Sequence, residues 1–380
     1  MFKVFTVLGR DINQIYIYEL LKNFSMTLIG VFIPIYIVSE GFSLYHAGLF
    51  VILSGITGVV LSYPVSRLVS RIGFKHGLAL AYLFIIPGLI VIQEASLSLV
   101  VIVVSSLLYN TGRVLHNICL NSEFAVDSRS DSRGKDSSKM LSLPSLSRVV
   151  APLFGGIIFA SAGFHLLLTV AIFVLLLSVL PLMASEDHRD PMDYDFRSIL
   201  EQEYLTALPL FVIRGVQAVS AVSVFSLFIY FVVGGALDVG WARALDSLGF
   251  VLTGLASGKL VQKYGKFPVV LLGTSGAALI HVLRIFVWLP YQVFAVSFLG
   301  GIFFQIYHVP IYSEFADRAE DEDVLEFYTL RKIFVSIGNI LTIGTLLTAY
   351  FFLGEKAAFT ATFSLAALST LLMAVISRKF

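Results

Sequence analysis

Two ten-residue segments decide the fold of this chain: SRLVSRIGFK at residues 66–75 and GKLVQKYGKF at residues 258–267. They lie 192 positions apart, and each directly follows a long apolar stretch. In both, a Leu-Val pair precedes a basic residue and a glycine. The shared basic and glycine positions are Arg71 and Gly73 in the first segment and Lys263 and Gly265 in the second. A short basic turn that recurs at a fixed distance indicates an internal duplication.

Further matches support the same duplication. The tetrapeptide SEFA occurs at residues 122–125 and again at residues 313–316, an offset of 191. Arg148 pairs with Arg331 and Gly155 with Gly338, both at an offset of 183. The smaller offset indicates that one loop is about eight residues longer in the first half than in the second. These matches occur in the same order in both halves and predict two copies of one unit.

The composition places both copies in a membrane. Of 380 residues, 57% are hydrophobic and 13% are charged, with a mean hydropathy of +0.89. Soluble domains usually carry about 45–50% apolar and about 25% charged residues. A net charge of +1 excludes the broad basic field of nucleic-acid-binding proteins, and a single cysteine excludes a disulfide framework or a multi-cysteine metal site. We therefore expect the lipid bilayer as a partner, and no nucleic acid.

Twelve apolar segments have the length of membrane-spanning helices. They cover residues 12–38, 46–69, 77–92, 97–121, 141–162, 164–184, 205–233, 237–262, 267–289, 291–313, 328–352 and 357–377. We number them spans one to twelve. Nineteen of the 26 Lys and Arg lie at the termini and in alternate loops, which places both termini in the cytoplasm by the positive-inside rule. The expected location is the plasma (inner) membrane.

These spans divide the chain into two pseudosymmetric bundles of six helices, an all-α membrane fold. Residues 1–184 form the N-terminal bundle and residues 204–380 the C-terminal bundle. The polar stretch at residues 185–203 is interpreted as a cytoplasmic linker between them.

Twelve spans, two halves and a basic glycine turn after spans two and eight resemble the major facilitator superfamily. That resemblance implies secondary transport by alternating access, with spans one, four, seven and ten around a central cavity. The chain departs from the pattern, because the Asp that usually precedes the basic residue is Ser70 in one half and Gln262 in the other. A weaker resemblance, APLFGG at residues 151–156, is to the drug–proton antiporters of that superfamily; a small-residue packing face explains it equally well.

Charges at the cytoplasmic ends suggest a gating role. Glu123 and Glu314 end spans four and ten and are the natural partners of Arg71 and Lys263, respectively. We predict that Gly73 and Gly265 form tight turns and that the two charge pairs stiffen each bundle. Ordinary membrane-flank charge is the alternative interpretation.

Polar residues inside the spans are the candidate substrate ligands, since a charge at membrane depth costs about 2.5–3.5 kcal/mol on insertion scales. Arg148 and Arg284 lie near span ends and are expected to extend towards the interface. Deeper positions are predicted to bind an anion through cations and to add neutral hydrogen bonds. These predicted substrate-binding residues are Lys22, Arg113, His116, Asn117, Arg214, Gln217, Gln305 and His308.

Two buried carboxylates, Glu19 and Asp246, are the candidates for proton coupling. Local ion pairing is the alternative for both: Glu19 lies three residues before Lys22, and Asp246 three residues after Arg243. The pattern predicts a proton-coupled secondary transporter of a small organic anion, without a cofactor. A lipophilic-drug exporter and a non-transporting sensor or assembly protein on the same fold remain alternatives. Neither a nucleotide-binding GK[ST] loop nor a hydrolase motif in a suitable context occurs, so an enzyme is not expected.

Overall fold

The computed structural model describes residues 11–93, 98–127, 133–182, 208–320 and 324–378. Side chains are described over 17–93, 98–122, 147–181, 208–311 (except 255) and 325–378. The predicted linker at residues 185–203 lies outside these ranges, so the division into two domains stays a prediction.

Helices follow the apolar segments closely. In the N-terminal half they are Asp11–Gly30 with Phe32–Ser39 (span one), Leu44–Ile72, Phe74–Val91, Leu99–Asp127 and Arg133–Leu182. In the C-terminal half they are Leu208–Val219, a π-helical turn Ser220–Val224 and Phe225–Val232 (together span seven), Ala236–Tyr264, Lys266–Arg284, Pro290–Glu320, Val324–Leu353 and Glu355–Ser377.

The number of spans agrees with the sequence prediction. Within the described residues, ten helical stretches are long and apolar enough to cross a bilayer, and an eleventh, span eight, is bent by 46°. The helix Arg133–Leu182 is interrupted at Gly163, whose φ of 82° and ψ of 171° are not helical. This break separates spans five and six at the predicted position. Divided at Gly163, the described helices match the positions of the twelve predicted spans, and the chain is an integral membrane protein.

Left-handed glycines mark equivalent turns in the two halves. All six described residues with positive φ are glycines, and they form three pairs separated by 191 to 193 positions. The pairs are Gly41 with Gly234 after spans one and seven, Gly73 with Gly265 after spans two and eight, and Gly163 with Gly354 before spans six and twelve. A Cβ disfavours this backbone conformation, so glycine is the residue that permits these turns. The predicted turns at Gly73 and Gly265 are present, and the pairing supports the duplication.

Among the described helices, two pairs make the most extensive contacts between the halves. Span two packs on span eleven, and span five packs on span eight. In the first pair the hydroxyls of Ser66 and Thr329 are hydrogen-bonded at 2.7 Å. In the second, a Cβ on Gly240 would lie 2.7 Å from the carbonyl oxygen of Pro152 and 3.1 Å from the Cα of Gly156. The APLFGG segment therefore provides a close helix–helix contact between the halves.

The glycine that begins the second basic segment has a different environment. No atom lies within 4 Å of a Cβ built on Gly258. Another helix therefore packs closely against Gly240, whereas no described helix comes this close to Gly258 on the same helix.

Candidate functional site

A cavity of about 550 Å³ lies between the two halves. Helices from both halves form its wall, including spans one, four, seven and ten. Small-molecule sites commonly have volumes of about 300–1,000 Å³. The cavity therefore has room for a small organic solute.

Its wall is strongly cationic. Among the described side chains, six Arg or Lys and one carboxylate line it: Arg113, Arg148, Arg214, Arg243, Arg284 and Lys332, with Asp246. Positive side chains in a cleft with apolar walls attract anions, because the low dielectric strengthens the field. The arrangement fits an anionic ligand.

Asp246 pairs with one of these cations. Its Oδ2 lies 3.3 Å from Nη1 of Arg243, and the same nitrogen donates to the carbonyl oxygen of Ala221 at 3.1 Å. Arg243 therefore joins span eight to the π-helical turn of span seven. The local ion pair between Asp246 and Arg243, which their three-residue spacing suggested, is thus present.

Arg214 lies in the wall without a carboxylate partner among the described side chains. Its guanidinium carbon lies 4.4 Å from the ring centre of Phe304, a cation–π contact. Nη1 of Arg214 is buried and has no hydrogen-bond partner in the described part of the chain. A cation held by an aromatic face keeps its N–H edge available for an anion.

Arg284 also faces the protein interior, contrary to the expectation that it extends to the membrane interface. It is 2% exposed, lies 4.1 Å from the ring centre of Phe225, and is hydrogen-bonded to Nδ1 of His281 at 3.2 Å. The expectation was wrong because distance from a span end gives the depth of a residue and leaves its helix face undetermined. This face packs against an aromatic ring and opens onto the cavity beside Gly300.

Arg148, also expected near a span end, lines the cavity, and so does Lys332, which the positive-inside count placed in the loop between spans ten and eleven. Lys332 lies in the third turn of the helix Val324–Leu353, which allows its long side chain to reach inward. No sequence signal separated these two from the other basic residues near the cytoplasmic ends. Arg113, by contrast, was predicted to line the cavity and does so, with its guanidinium carbon 5.6 Å from the ring centre of Tyr109.

In the N-terminal half, a buried polar cluster lies beside the cavity rather than in its wall. Nζ of Lys22 lies 2.8 Å from Oε1 of Glu19, and the amide of Asn23 donates to both the carboxylate and the backbone oxygen of Glu19. Nε2 of His116 is 3.9 Å from the same carboxylate. Of this cluster, Asn23 alone lines the cavity. Lys22 is therefore held by its own acidic partner, as the local-pair alternative proposed.

Of the residues predicted to give neutral hydrogen bonds to the solute, some line the cavity and others do not. Gln217 lies in the wall, where it accepts a hydrogen bond from the Tyr307 hydroxyl at 3.0 Å and donates to Thr370 at 3.0 Å. Asn117, Gln305 and His308 do not line the cavity. The ring of His308 stacks on Phe304 at a centroid distance of 5.0 Å, so it supports the ring beneath Arg214.

Irregular backbone occurs at equivalent points of the wall in both halves. Span one is interrupted between Gly30 and Phe32, and span seven has its π-helical turn at Ser220–Val224. Gly30 and Ala221, 191 positions apart, both line the cavity. Interrupted helices at matching positions of two halves are a common feature of transporter binding sites. The sequence did not predict this pair, although glycine at position 30 followed by Pro34 indicates a break in span one.

Of the two predicted gating charge pairs, the structure describes only the basic side chains. Arg71 and Lys263 lie beside the paired glycine turns, with Nζ of Lys263 4.9 Å from the ring centre of Tyr264. The side chains of Glu123 and Glu314 lie outside the described residues. These charge pairs therefore stay a prediction.

Comparison with known proteins identifies the fold. No protein-family profile matches the chain, and no curated protein matches it significantly. Among solved structures, it is similar to a peptide transporter POT mutant in complex with sulfate, at 15% identity and a TM-score of 0.72. It is also similar to the same mutant in complex with alafosfalin, at 16% identity and a TM-score of 0.71. Both alignments cover 97% of this chain and 94% of the other. The chain has the major facilitator fold.

Proposed function

We propose that this protein is a secondary active transporter that moves a small organic anion across the membrane by alternating access. The observation that carries the proposal is the cavity between the halves, whose wall holds six cations and one carboxylate. Uncompensated charge at membrane depth is costly, and functional sites are where membrane proteins usually retain it. The similar solved structures are peptide transporters, one of them with bound sulfate, and they support both the class and the sign of the ligand.

The anion binds between cations of both halves. Arg113 and Arg148 belong to the N-terminal half, and Arg214, Arg243, Arg284 and Lys332 to the C-terminal half. Charge-assisted hydrogen bonds from guanidinium to carboxylate or phosphate are about twice as strong as neutral ones. An anion held between the halves offsets the repulsion between their cations, which lowers the energy of a closed, occupied state.

Alternating access uses the helices that join the halves. The segments Phe32–Ser39 of span one and Phe225–Val232 of span seven pack on each other, at the end that the positive-inside rule predicts to face the outside of the cell. Rocking of the two bundles about the contacts between spans two and eleven and between spans five and eight opens one end of the cavity as the other closes.

Asp246 is the better placed of the two candidates for proton coupling, because it lies in the cavity wall. A proton on this carboxylate removes its negative charge and releases Arg243, 3.3 Å away. The wall then carries one more uncompensated cation, so proton binding favours anion binding and the two move together. Glu19, paired with Lys22 outside the wall, is the alternative coupling residue.

Counterflow in proteoliposomes tests the proposal. Purified protein is reconstituted, loaded with each member of a panel of carboxylates, phosphate esters and lipophilic cations, and assayed for exchange of labelled solute. We expect saturable exchange of an anion that is lost in Arg113→Gln and Arg214→Gln. The matched control is Arg67→Gln, an exposed arginine outside the cavity, which should exchange normally.

The alternatives give different results. Exchange of lipophilic cations alone would favour the drug-exporter interpretation. A correctly folded protein that exchanges no solute would favour a sensor or assembly role. Near-normal anion affinity in both cavity variants would refute the anion site.

A further inference from the structure

The cavity wall carries more positive charge than a monovalent anion can neutralise. Asp246 pairs with Arg243, while the other five cations have no carboxylate within 4 Å among the described side chains. Resting on the proposed function, we propose that the solute carries at least two negative charges on one molecule and bridges the halves. One charged end binds Arg113 and Arg148, and the other binds Arg214 and Arg284.

The first step of the argument is electrostatic. Like charges that share a low-dielectric space repel each other, and burial removes the water that would screen them. A monovalent anion in this cavity would leave four cations without a counter-charge. A solute with two or three negative charges leaves fewer, so each added charge on the solute increases its binding.

The second step concerns where the cations lie. Arg113 and Arg148 project from spans four and five and are exposed to the cavity. Arg214 and Arg284 project from spans seven and nine of the other half. Because these two groups of cations belong to different halves, a solute with two charged groups can pair with both halves at once.

The third step is that the C-terminal arginines are held ready for a ligand. The guanidinium carbon of Arg214 lies 4.4 Å from the ring centre of Phe304, and that of Arg284 lies 4.1 Å from the ring centre of Phe225. Both guanidinium groups therefore lie over aromatic rings. Nη1 of Arg214 and Nε of Arg284 are buried donors without a partner in the described part of the chain. Leaving buried donors without partners is unfavourable, and a bound anion that accepts from them removes this penalty.

Gly300 keeps the approach to Arg284 open. A Cβ at this position would lie 3.3 Å from Nη2 of Arg284 and 3.7 Å from Oδ1 of Asp246. The bare backbone therefore leaves the guanidinium edge accessible from the cavity.

Matched pairs of compounds that differ by one charge test the inference. Glucose 6-phosphate carries nearly two negative charges at pH 7.5 and glucose 6-sulfate carries one; succinate carries two and monomethyl succinate one. Thermal-shift titrations of the purified full-length protein at constant ionic strength measure the affinity for each. We expect the divalent member of at least one pair to bind about tenfold more tightly or better, the effect of one added charge-assisted contact.

Variants test the bridge itself. In Arg113→Gln and in Arg284→Gln the preference for the divalent member should shrink towards equal binding, whereas Arg67→Gln should keep it. Arg113 is exposed to the cavity, so its substitution tests the idea even if the buried Arg284 variant folds poorly.

Two results overturn the inference: a monovalent compound that binds as tightly as its divalent partner in every pair that binds, or a divalent preference that survives in Arg113→Gln. In both results an anion still binds, so the proposed function stands. Absence of binding by every anion, together with no counterflow, would instead refute the proposed function and the inference with it.

Discussion

Substituting alanine for Gly240 tests the contact between spans five and eight. The new Cβ would lie 2.7 Å from the carbonyl oxygen of Pro152 and 3.1 Å from the Cα of Gly156. Both neighbours are backbone atoms, so neither can turn away. An ordinary contact distance requires the two helices to separate by about 0.7 Å, and overpacking of this kind costs about 1–3 kcal/mol.

Helix propensity acts in the opposite direction. Replacing a helical glycine with alanine gains up to about 1 kcal/mol. We therefore expect Gly240→Ala to lose about 0–2 kcal/mol of stability. Gly258→Ala is the matched control on the same helix, where no atom lies within 4 Å of the added methyl. It should gain about 0.5–1 kcal/mol, so the two variants should differ by about 2 kcal/mol.

Cys119 makes this difference measurable. It is the chain's single cysteine and is fully buried, so a thiol-reactive dye reports the exposure of one site on unfolding. At about 2 °C per kcal/mol, the unfolding midpoints of Gly240→Ala and Gly258→Ala should differ by about 4 °C. Equal midpoints in the two variants would show that the span five–span eight contact is absent from the populated conformation.

Three further outcomes are expected. Gly354→Ala should lower the unfolding midpoint by the equivalent of about 1–2 kcal/mol, because its φ of 85° strains any residue with a Cβ. Gly344→Ala is the control, since the space around this glycine is open, and its midpoint should not fall. An equal loss in both variants would contradict the backbone argument. Asp246→Asn should bind the anion more tightly, because Arg243 loses its carboxylate partner. In proteoliposomes, the variant should no longer accumulate the anion under a pH gradient. Accumulation that persists would exclude Asp246 as the coupling residue. Gln217→Leu should cost about 1–3 kcal/mol in the dye assay, because it leaves a buried tyrosine hydroxyl without its acceptor; an unchanged midpoint would show that this hydrogen bond is dispensable.

The sequence predicted the architecture well, because membrane spans have a strong local signal. Length and hydropathy located the twelve spans, and the basic turns at Gly73 and Gly265 indicated the duplication. The turn at Gly163 was found only as a gap between two apolar runs. Gly163 and Gly354 were recognised as equivalent because both have a positive φ. A glycine in a sequence does not by itself indicate that its φ is positive.

The site was predicted less completely, because the face that a side chain presents depends on packing. The sequence predicted that Arg113 and Arg214 line the cavity, and both do. Depth was misleading for Arg284, which packs on Phe225 and points inward. Spacing allowed Glu19 to pair with Lys22, yet only the structure could show that the lysine is held there, outside the wall.

The duplication also fixes how the two copies stand relative to the bilayer. Six crossings return the chain to its starting side, so the copies run in the same sense and are related by rotation about the membrane normal. Residues 192 apart thus lie at one depth on opposite walls. Asp246 and Arg243 have Ser54 and Val51 as counterparts, which also line the cavity but are uncharged. Among the described residues of the wall, this acid–base pair occurs in the C-terminal half and has no counterpart in the N-terminal half. The two walls therefore differ, and a solute whose two ends differ should bind in one of its two orientations in preference to the other.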